Sequence, residues 1–392
     1  MAGDPRYGDG EPDPTRVMPE YPGDYRDPDA DTDDPRYYSR TYHSSRLRRP
    51  GDRRDDGRGG PSGPGSRGPR LPGQRRTGRR ILGVLLTLVL VYLLIYIGIL
   101  ATAYSKLDKV DALADYPGRP AATPGQDWLL VGSDSRAGLT KKQQNQMHTG
   151  HTGGQRADTM MLLHIPAGGG KATLVSFPRD SCIPSAARCT AKLNSAYSTG
   201  GAKKTVRTIE GLTDIRIDHY MEVGFGGFAN AVDAVGGVNI CVKRKLVDTK
   251  QHITFKKGCQ TMDGRHGLMY VRSRYSDPRG DFGRVERQRQ FLGALFHKAA
   301  SPGVLLNPFR AGNVAFSSAE GVKVDQDTGM FDLFRLFWTM RKASSGGVKT
   351  MTVPVGGATT DSGGGSAVVW DHAKAAKLFK QLRNDQRVTV SG

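Results

Sequence analysis

Four segments of this 392-residue chain set charge at the ends of apolar runs. Trp128-Leu-Leu-Val-Gly-Ser-Asp134-Ser-Arg136 ends one run in an acid and a base, and Arg156-Ala-Asp158-Thr opens another with a base and an acid. Val175-Ser-Phe-Pro-Arg179-Asp180 closes a third. The fourth, after the strand-like Tyr270-Val-Arg-Ser-Arg274, places Arg272, Arg274, Arg279, Arg284, Arg287 and Arg289 within 18 residues and no lysine among them. Guanidinium is planar, always charged and forks onto two oxygens, so an arginine-only cluster suits phosphate or pyrophosphate better than general solubility. Two aspartates can hold a hard cation such as Mg²⁺, and arginines neutralise what the cation does not. A structural ion pair would explain any one of these ends, and a solvated basic face would explain the cluster. Strand termini at one rim of a sheet, however, converge on a common crevice.

Where the cluster sits decides what it meets. Residues 81–104 form an apolar run without a charge, long enough to cross a bilayer as one helix. Arg75, Arg76, Arg79 and Arg80 abut its N-terminal end, whereas Lys106, Asp108, Lys109 and Asp111 follow the other end. The positive-inside rule then predicts a cytoplasmic N-terminus and an extracytoplasmic remainder, a single-pass protein of the cell membrane. Ala101-Thr102-Ala103 looks like a signal-peptidase site, but a leader of about 80 residues before so long a core fits an anchor.

Residues 1–80 are rich in Asp, Arg, Pro, Gly and Tyr and poor in aliphatic side chains, which predicts a disordered cytoplasmic tail. Its charge divides: residues 1–36 carry 11 acids against 4 arginines, and residues 37–80 carry 13 arginines against 3 aspartates. The basic half can lie on anionic lipid. Beyond the span, a linker over 105–126 and a catalytic domain over 127–392 are expected. The net charge of the whole chain is +19. In the cytosol this would suggest nucleic acid; outside a membrane the available polyanions are lipid phosphates, lipid-linked sugars and wall polymers, so no nucleic-acid partner is expected. All four cysteines lie beyond the span, as an oxidising compartment requires of disulfides. Three connectivities are possible. The local pairs Cys182–Cys189, around a short loop, and Cys241–Cys259, on facing strands of a hairpin, are favoured.

The elements alternate. Strands are expected at Trp128–Val131, Thr159–Ile165, Ala172–Phe177, Tyr220–Val223, Val238–Val242 and Met269–Arg272. Helices are expected at Asn194–Thr199, Val206–Leu212, Phe228–Val235, Val285–Ala300, Phe331–Ala343 and Ala373–Leu382. This predicts an α/β fold, a central mixed β-sheet flanked by helices in an α-β-α sandwich. Gly224-Phe-Gly-Gly-Phe-Ala229 matches a dinucleotide-binding pattern, but the next strand ends in Lys243-Arg244-Lys245 without an acid for a ribose. Close helix–sheet packing explains its glycines. His148 and His151 lack further ligands for zinc.

The ordered series resembles the LytR-CpsA-Psr family of envelope phosphotransferases. It runs through the Gly-Ser-Asp134-Ser-Arg, Arg156-x-Asp-Thr and Pro-Arg179-Asp motifs, Lys192-Leu-Asn-Ser-Ala-Tyr197 and Ile217-Asp-His-Tyr220. It ends in Leu-Met-Tyr-Val-Arg-Ser-Arg274 and Gly-Asp-Phe-Gly-Arg284-x-x-Arg-Gln288. The stretch between Asp134 and Arg156 is longer than the family pattern. The resemblance implies transfer of a glycopolymer from a polyprenyl-pyrophosphate carrier to a peptidoglycan hydroxyl. Asp134 and Asp158 would hold Mg²⁺; Arg156, Arg179, Arg272, Arg274 and Arg284 would grip the pyrophosphate, with Gln288 hydrogen-bonding nearby. The alternatives are a polyprenyl-pyrophosphate hydrolase using water as acceptor, and a non-catalytic membrane-anchored lipid-binding or regulatory module.

Overall fold

The computed structural model describes residues 74–391 except 137–138, 148–155, 186–187 and 274–279. The apolar run is one continuous helix, α1 (Gln74–Ser105), and its portion Gly78–Ser105 is long and apolar enough to cross a membrane. An edge strand β1 (Asp108–Val110) follows, then β2 (Gln126–Ser133), a short α2 (Lys141–Gln146), β3 (Ala157–Ile165) and β4 (Ala172–Phe177). The hairpin β5 (Cys182–Ser185) and β6 (Arg188–Lys192) leads into α3 (Leu193–Thr213), β7 (His219–Val223) and α4 (Phe225–Ala234). Next come β8 (Val238–Val242), β9 (Leu246–Asp248), β10 (Ile253–Phe255), β11 (Gly258–Met262), α5 (Gly264–Arg272) and α6 (Gly280–Ala299). The C-terminal part holds α7 (Pro302–Leu305), α8 (Pro308–Ala319), β12 (Val322–Asp325), α9 (Met330–Arg341) and β13 (Val348–Thr352). The hairpin β14 (Val355–Thr360) and β15 (Ser366–Trp370) precedes α10 (His372–Arg383).

Seven strands form one mixed sheet in the order β1-β12-β7-β2-β3-β4-β13. Along β3, Met160 and Leu162 enter one apolar cluster with α3 and α10, and Met161 and Leu163 enter another with α6 and α9. Alternate side chains leave a strand on opposite faces, so an unbroken apolar run is what burial on both faces demands. The expected α-β-α sandwich is the observed one. A third cluster joins α4, α5 and α6 to the hairpin β8–β11.

Cys182 is bonded to Cys189 and Cys241 to Cys259, as the local pairing requires. The two short helices expected around residue 200 are the halves of α3, which turns at Gly200 and at Gly201, where φ is +61°. One element differs in kind. Met269–Arg272, expected as a strand, belongs to α5, because Asp263 caps the helix by accepting from the His266 N–H at 2.7 Å. That cap starts a helix at Gly264, five residues before Met269, and Leu268, Met269, Tyr270 and Val271 are then buried as helical residues. The stretch 105–126, expected as a linker, contains β1 and pairs with β12 at the sheet edge.

On β3, His164 is 3% exposed and lies between Asp127 at 2.9 Å and Asp385 at 3.0 Å. Burial opposes its charge, but these two carboxylates prevail and raise its pKa. A raised pKa stabilises the fold fully below the ordinary imidazole value, near 6.5, and that contribution fades as pH climbs through the folded value. The Tm difference between wild type and His164→Gln should therefore be largest below about pH 6.5 and narrow toward pH 9. A difference independent of pH would refute charged His164.

Candidate active site

β3 runs antiparallel to β2 and β4, so the end of β2, the start of β3 and the end of β4 share one rim. β7, parallel to β2, finishes there as well. The β2–β3 register breaks at this rim: Gly132 faces Thr159 and Ser133 faces Ala157, leaving Asp158 as the extra residue of a bulge. A bulge bends its strand and re-aims the side chain it carries. Met160 pairs with Phe177, so continuing that register by two residues sets position 158 opposite position 179. Arg179 Nη1 donates to Asp158 Oδ1 at 2.8 Å, and its Nε reaches Asp180 at 3.3 Å.

Asp134 is held by backbone. Its N–H donates to the Arg156 carbonyl at 2.9 Å, and the Arg156 N–H donates to Asp134 Oδ1 at 2.7 Å. The Arg156 side chain is exposed beside it. Arg272, in the last turn of α5, donates to the Met147 carbonyl at 3.1 Å and lies over the Phe225 ring at 4.6 Å. The Phe225 N–H donates to the Ser135 carbonyl at 2.8 Å, so Arg272 is linked through one ring to the neighbour of Asp134. Gly224 permits that approach: a Cβ there would stand 2.9 Å from the Ser135 oxygen. Gly224 and Gly227 thus serve packing, since a Cβ on Gly227 would likewise meet Gly321 at 2.9 Å.

Arg284 and Gln288 come from α6. Arg284 is buried, and Gln288 Nε2 donates to the Val271 carbonyl at 3.4 Å. Arg287, on the same face, donates to the Ser273 carbonyl and fixes the chain just after Arg272. Arg274, His148 and His151 lie outside the described residues. Asp134, Arg156, Asp158 and Arg179 are therefore brought together at the rim, with Arg272 joined to it through Phe225 and Ser135.

A buried network adjoining Asp134 was not anticipated. Glu222 is 2% exposed and accepts from Ser133 Oγ at 2.8 Å, Tyr220 Oη at 3.0 Å and Lys323 Nζ at 3.3 Å. Burial, and then its hydrogen bond to Glu222, raises the Tyr197 pKa; burial and the charge of Glu222 raise that of Tyr220. Both phenols stay neutral donors. The signal available beforehand was an acid inside the otherwise hydrophobic Tyr220–Val223. Lys192 adds a cation between Asp180 at 4.0 Å and Asp361 at 3.7 Å.

Two carboxylates beside several guanidiniums can bind a phosphorylated ligand through a shared cation and direct forks. Among the described residues no group of three or more His, Cys, Asp or Glu side chains is placed so that it could hold a metal ion. Asp134 and Asp158 are two carboxylates of the hard oxygen type that Mg²⁺ takes, an ion that keeps waters and accepts ligand phosphate oxygens.

The chain is similar to known proteins over much of its length. The probable cell wall biosynthesis protein LcpB of Corynebacterium glutamicum is 42% identical over 282 residues, 72% of this chain and 66% of LcpB. The polyisoprenyl-teichoic acid–peptidoglycan teichoic acid transferase TagV of Bacillus subtilis is 35% identical over 178 residues, 43% of this chain and 45% of TagV. The alignments thus span just under two thirds of LcpB and under half of TagV. The crystal structure of B. subtilis TagV matches with a TM-score of 0.52 and 26% identity, over 68% of this chain and 100% of that structure. The LytR_cpsA_psr family model matches residues 100–384, from the end of α1 to the end of α10, and the chain belongs to the LytR-CpsA-Psr family.

Proposed function

We propose that this chain is an outer-leaflet phosphotransferase that passes a glycopolymer from a polyprenyl-pyrophosphate carrier to a sugar hydroxyl of peptidoglycan. The observation that carries the reading is the convergence of Asp134, Arg156, Asp158 and Arg179 on one rim. The kinship with TagV, named for transfer of teichoic acid to peptidoglycan, supports it. The acceptor oxygen attacks the phosphorus that bears the glycan, the P–O–P bond breaks, and polyprenyl phosphate departs. The hydroxyl proton leaves to solvent or a rim carboxylate.

Such a reaction needs positioning and neutralised charge more than a covalent nucleophile. Arg179, Arg156 and Arg272 supply cations where negative charge moves onto the departing phosphate. Asp134 and Asp158 are the residues that would hold Mg²⁺, whose chemistry here is to neutralise pyrophosphate oxygens. Arg75, Arg76, Arg79 and Arg80 before α1 favour a cytoplasmic N-terminus, which puts the rim on the outer side with its donor.

The full chain in vesicles, supplied with a labelled polyprenyl-pyrophosphate-linked glycan, should attach label to peptidoglycan through an acid-labile phosphodiester. Polyprenyl phosphate should appear only with acceptor present. Equal release without peptidoglycan would make the chain a hydrolase, and binding without release would make it a binding module.

A further inference from the structure

We infer that the α7–α8 turn is a second membrane element, immersed in the acyl chains of the outer leaflet beside α1. The inference is independent of the transferase reading and rests on α1 being the membrane span. Tyr92 and Tyr96 lie inside the apolar run of α1, yet Tyr92 Oη donates to the Leu306 carbonyl at 3.2 Å and Tyr96 Oη donates to the Leu305 carbonyl. Higher up, a Cβ on Gly312 of α8 would stand 3.6 Å from Ile99, and Lys106 Nζ lies 5.2 Å from the centre of the Phe316 ring. α8 therefore climbs along α1 from Tyr92 to Lys106, with the turn at its deep end. At 1.5 Å per residue Tyr92 is roughly 20 Å below Lys106, through the headgroups and among the acyl chains. Whatever touches Tyr92 shares that depth.

The turn is made for a dry surrounding. Leu306 is 72% exposed and Phe309 is 87% exposed, a cost in water that acyl chains remove. Non-helical backbone survives in lipid only where its polar groups are satisfied. Pro302 and Pro308 begin both helices and bring no N–H. The N–H groups of Val304, Leu305, Leu306 and Asn307 find carbonyls within 301–304, and Asn307 Oδ1 accepts from Phe309 and Arg310. The last carbonyls of α7, which a helix end leaves open, are those the two tyrosines fill. Arg310 Nη1 donates to the Gly303 carbonyl at 3.5 Å, so its guanidinium has a partner within the turn. Phe331, 76% exposed, starts α9 close to Thr328, whose carbonyl accepts from Tyr104 at 2.8 Å and Lys109 at 2.9 Å. It belongs at the shallower aromatic level of the same surface.

Both cysteine pairs are closed, so one introduced cysteine labels uniquely. Full-length Leu306→Cys, Phe309→Cys, Phe331→Cys, Leu90→Cys and Lys377→Cys would each carry an environment-sensitive fluorophore in phosphatidylcholine–phosphatidylglycerol vesicles brominated at mid-chain. Strong quenching is expected at 306 and 309, as at 90 in α1, with weaker quenching at 331 and none at 377. No quenching at 306 and 309 while 90 is quenched would overturn the inference with α1 still in the bilayer. No quenching at 90 would overturn it by removing the span itself. Cross-linking of 306 between copies in place of quenching would assign the surface to a second chain.

Discussion

Asp158→Asn should abolish most polymer transfer while the melting temperature stays close to wild type. The amide keeps an oxygen to accept from Arg179, so the 2.8 Å contact of the bulge can persist while the negative charge is lost. Arg179→Ala removes a charge-assisted contact of about 1.5–3 kcal/mol, which corresponds to a fall of roughly tenfold to 150-fold. Arg179→Lys should recover little of this, because a point charge cannot fork across two phosphate oxygens. Lys377→Ala, on the exposed face of α10, serves as the unaffected control. Transfer from a labelled lipid-linked donor at the wild-type rate in both Asp158→Asn and Arg179→Ala would show that the rim charges only hold strands together. A loss of donor binding in Arg179→Ala but of turnover alone in Asp158→Asn would separate gripping the pyrophosphate from completing the transfer.

The parts of the site legible in the sequence are those fixed by strand periodicity. Runs such as Trp128–Val131 and Ala172–Phe177 are apolar on both faces, so their charged ends had to lie at a rim. Which of those charges meet depends on register, and the bulge at Asp158 leaves no local signature because it arises between two strands. Arg272 was legible as a charge, not as an element: the β-prone Met-Tyr-Val was overruled by the Asp263 cap upstream. Glu222 was hidden for another reason. Its partners Ser133, Tyr220 and Lys323 come from three strands, and only the sheet order β12-β7-β2 brings them to one carboxylate. The short strands β1 and β12 were not anticipated at all, since three or four residues carry too little alternation to show a period.

Arg119→Ala should be the most damaging single change to stability, although it lies in a stretch that reads as a spacer. Glu210, on α3, is fully buried, and Arg119 Nε donates to its Oε1 at 3.0 Å. The other nitrogens of Arg119 donate to the carbonyls of Leu113 and Ile217, each at 3.0 Å. Glu210 also accepts from Tyr116 Oη at 2.7 Å and from the Ile217 N–H at 2.9 Å. Burial, with the Glu210 hydrogen bond second, pushes the Tyr116 hydroxyl up to about 12, so it remains a donor at any working pH. Removing the guanidinium leaves a buried carboxylate without its counter-charge, which costs about 3–5 kcal/mol. For a domain of this size that is a fall in Tm of roughly 6–20 °C. Arg119→Met combined with Glu210→Leu removes both charges together and should restore much of the loss, because the penalty lies in the orphaned charge. A shift under 1 °C in Arg119→Ala would contradict the pairing. The functional consequence follows from where the pair sits. It clamps residues 113–119 to the end of α3 and to the approach of β7, so the segment between α1 and β2 has a fixed length and path. β1 begins at the end of the sheet where β2 and β7 finish, so the chain leaves α1 at the rim end, and the Arg119 clamp holds its continuation at the opposite end, where β7 begins. A donor whose lipid stays in the bilayer needs its acceptor site at a constant height, and a loosened Arg119 variant should lose transfer from a membrane-bound donor at temperatures well below its own melting point.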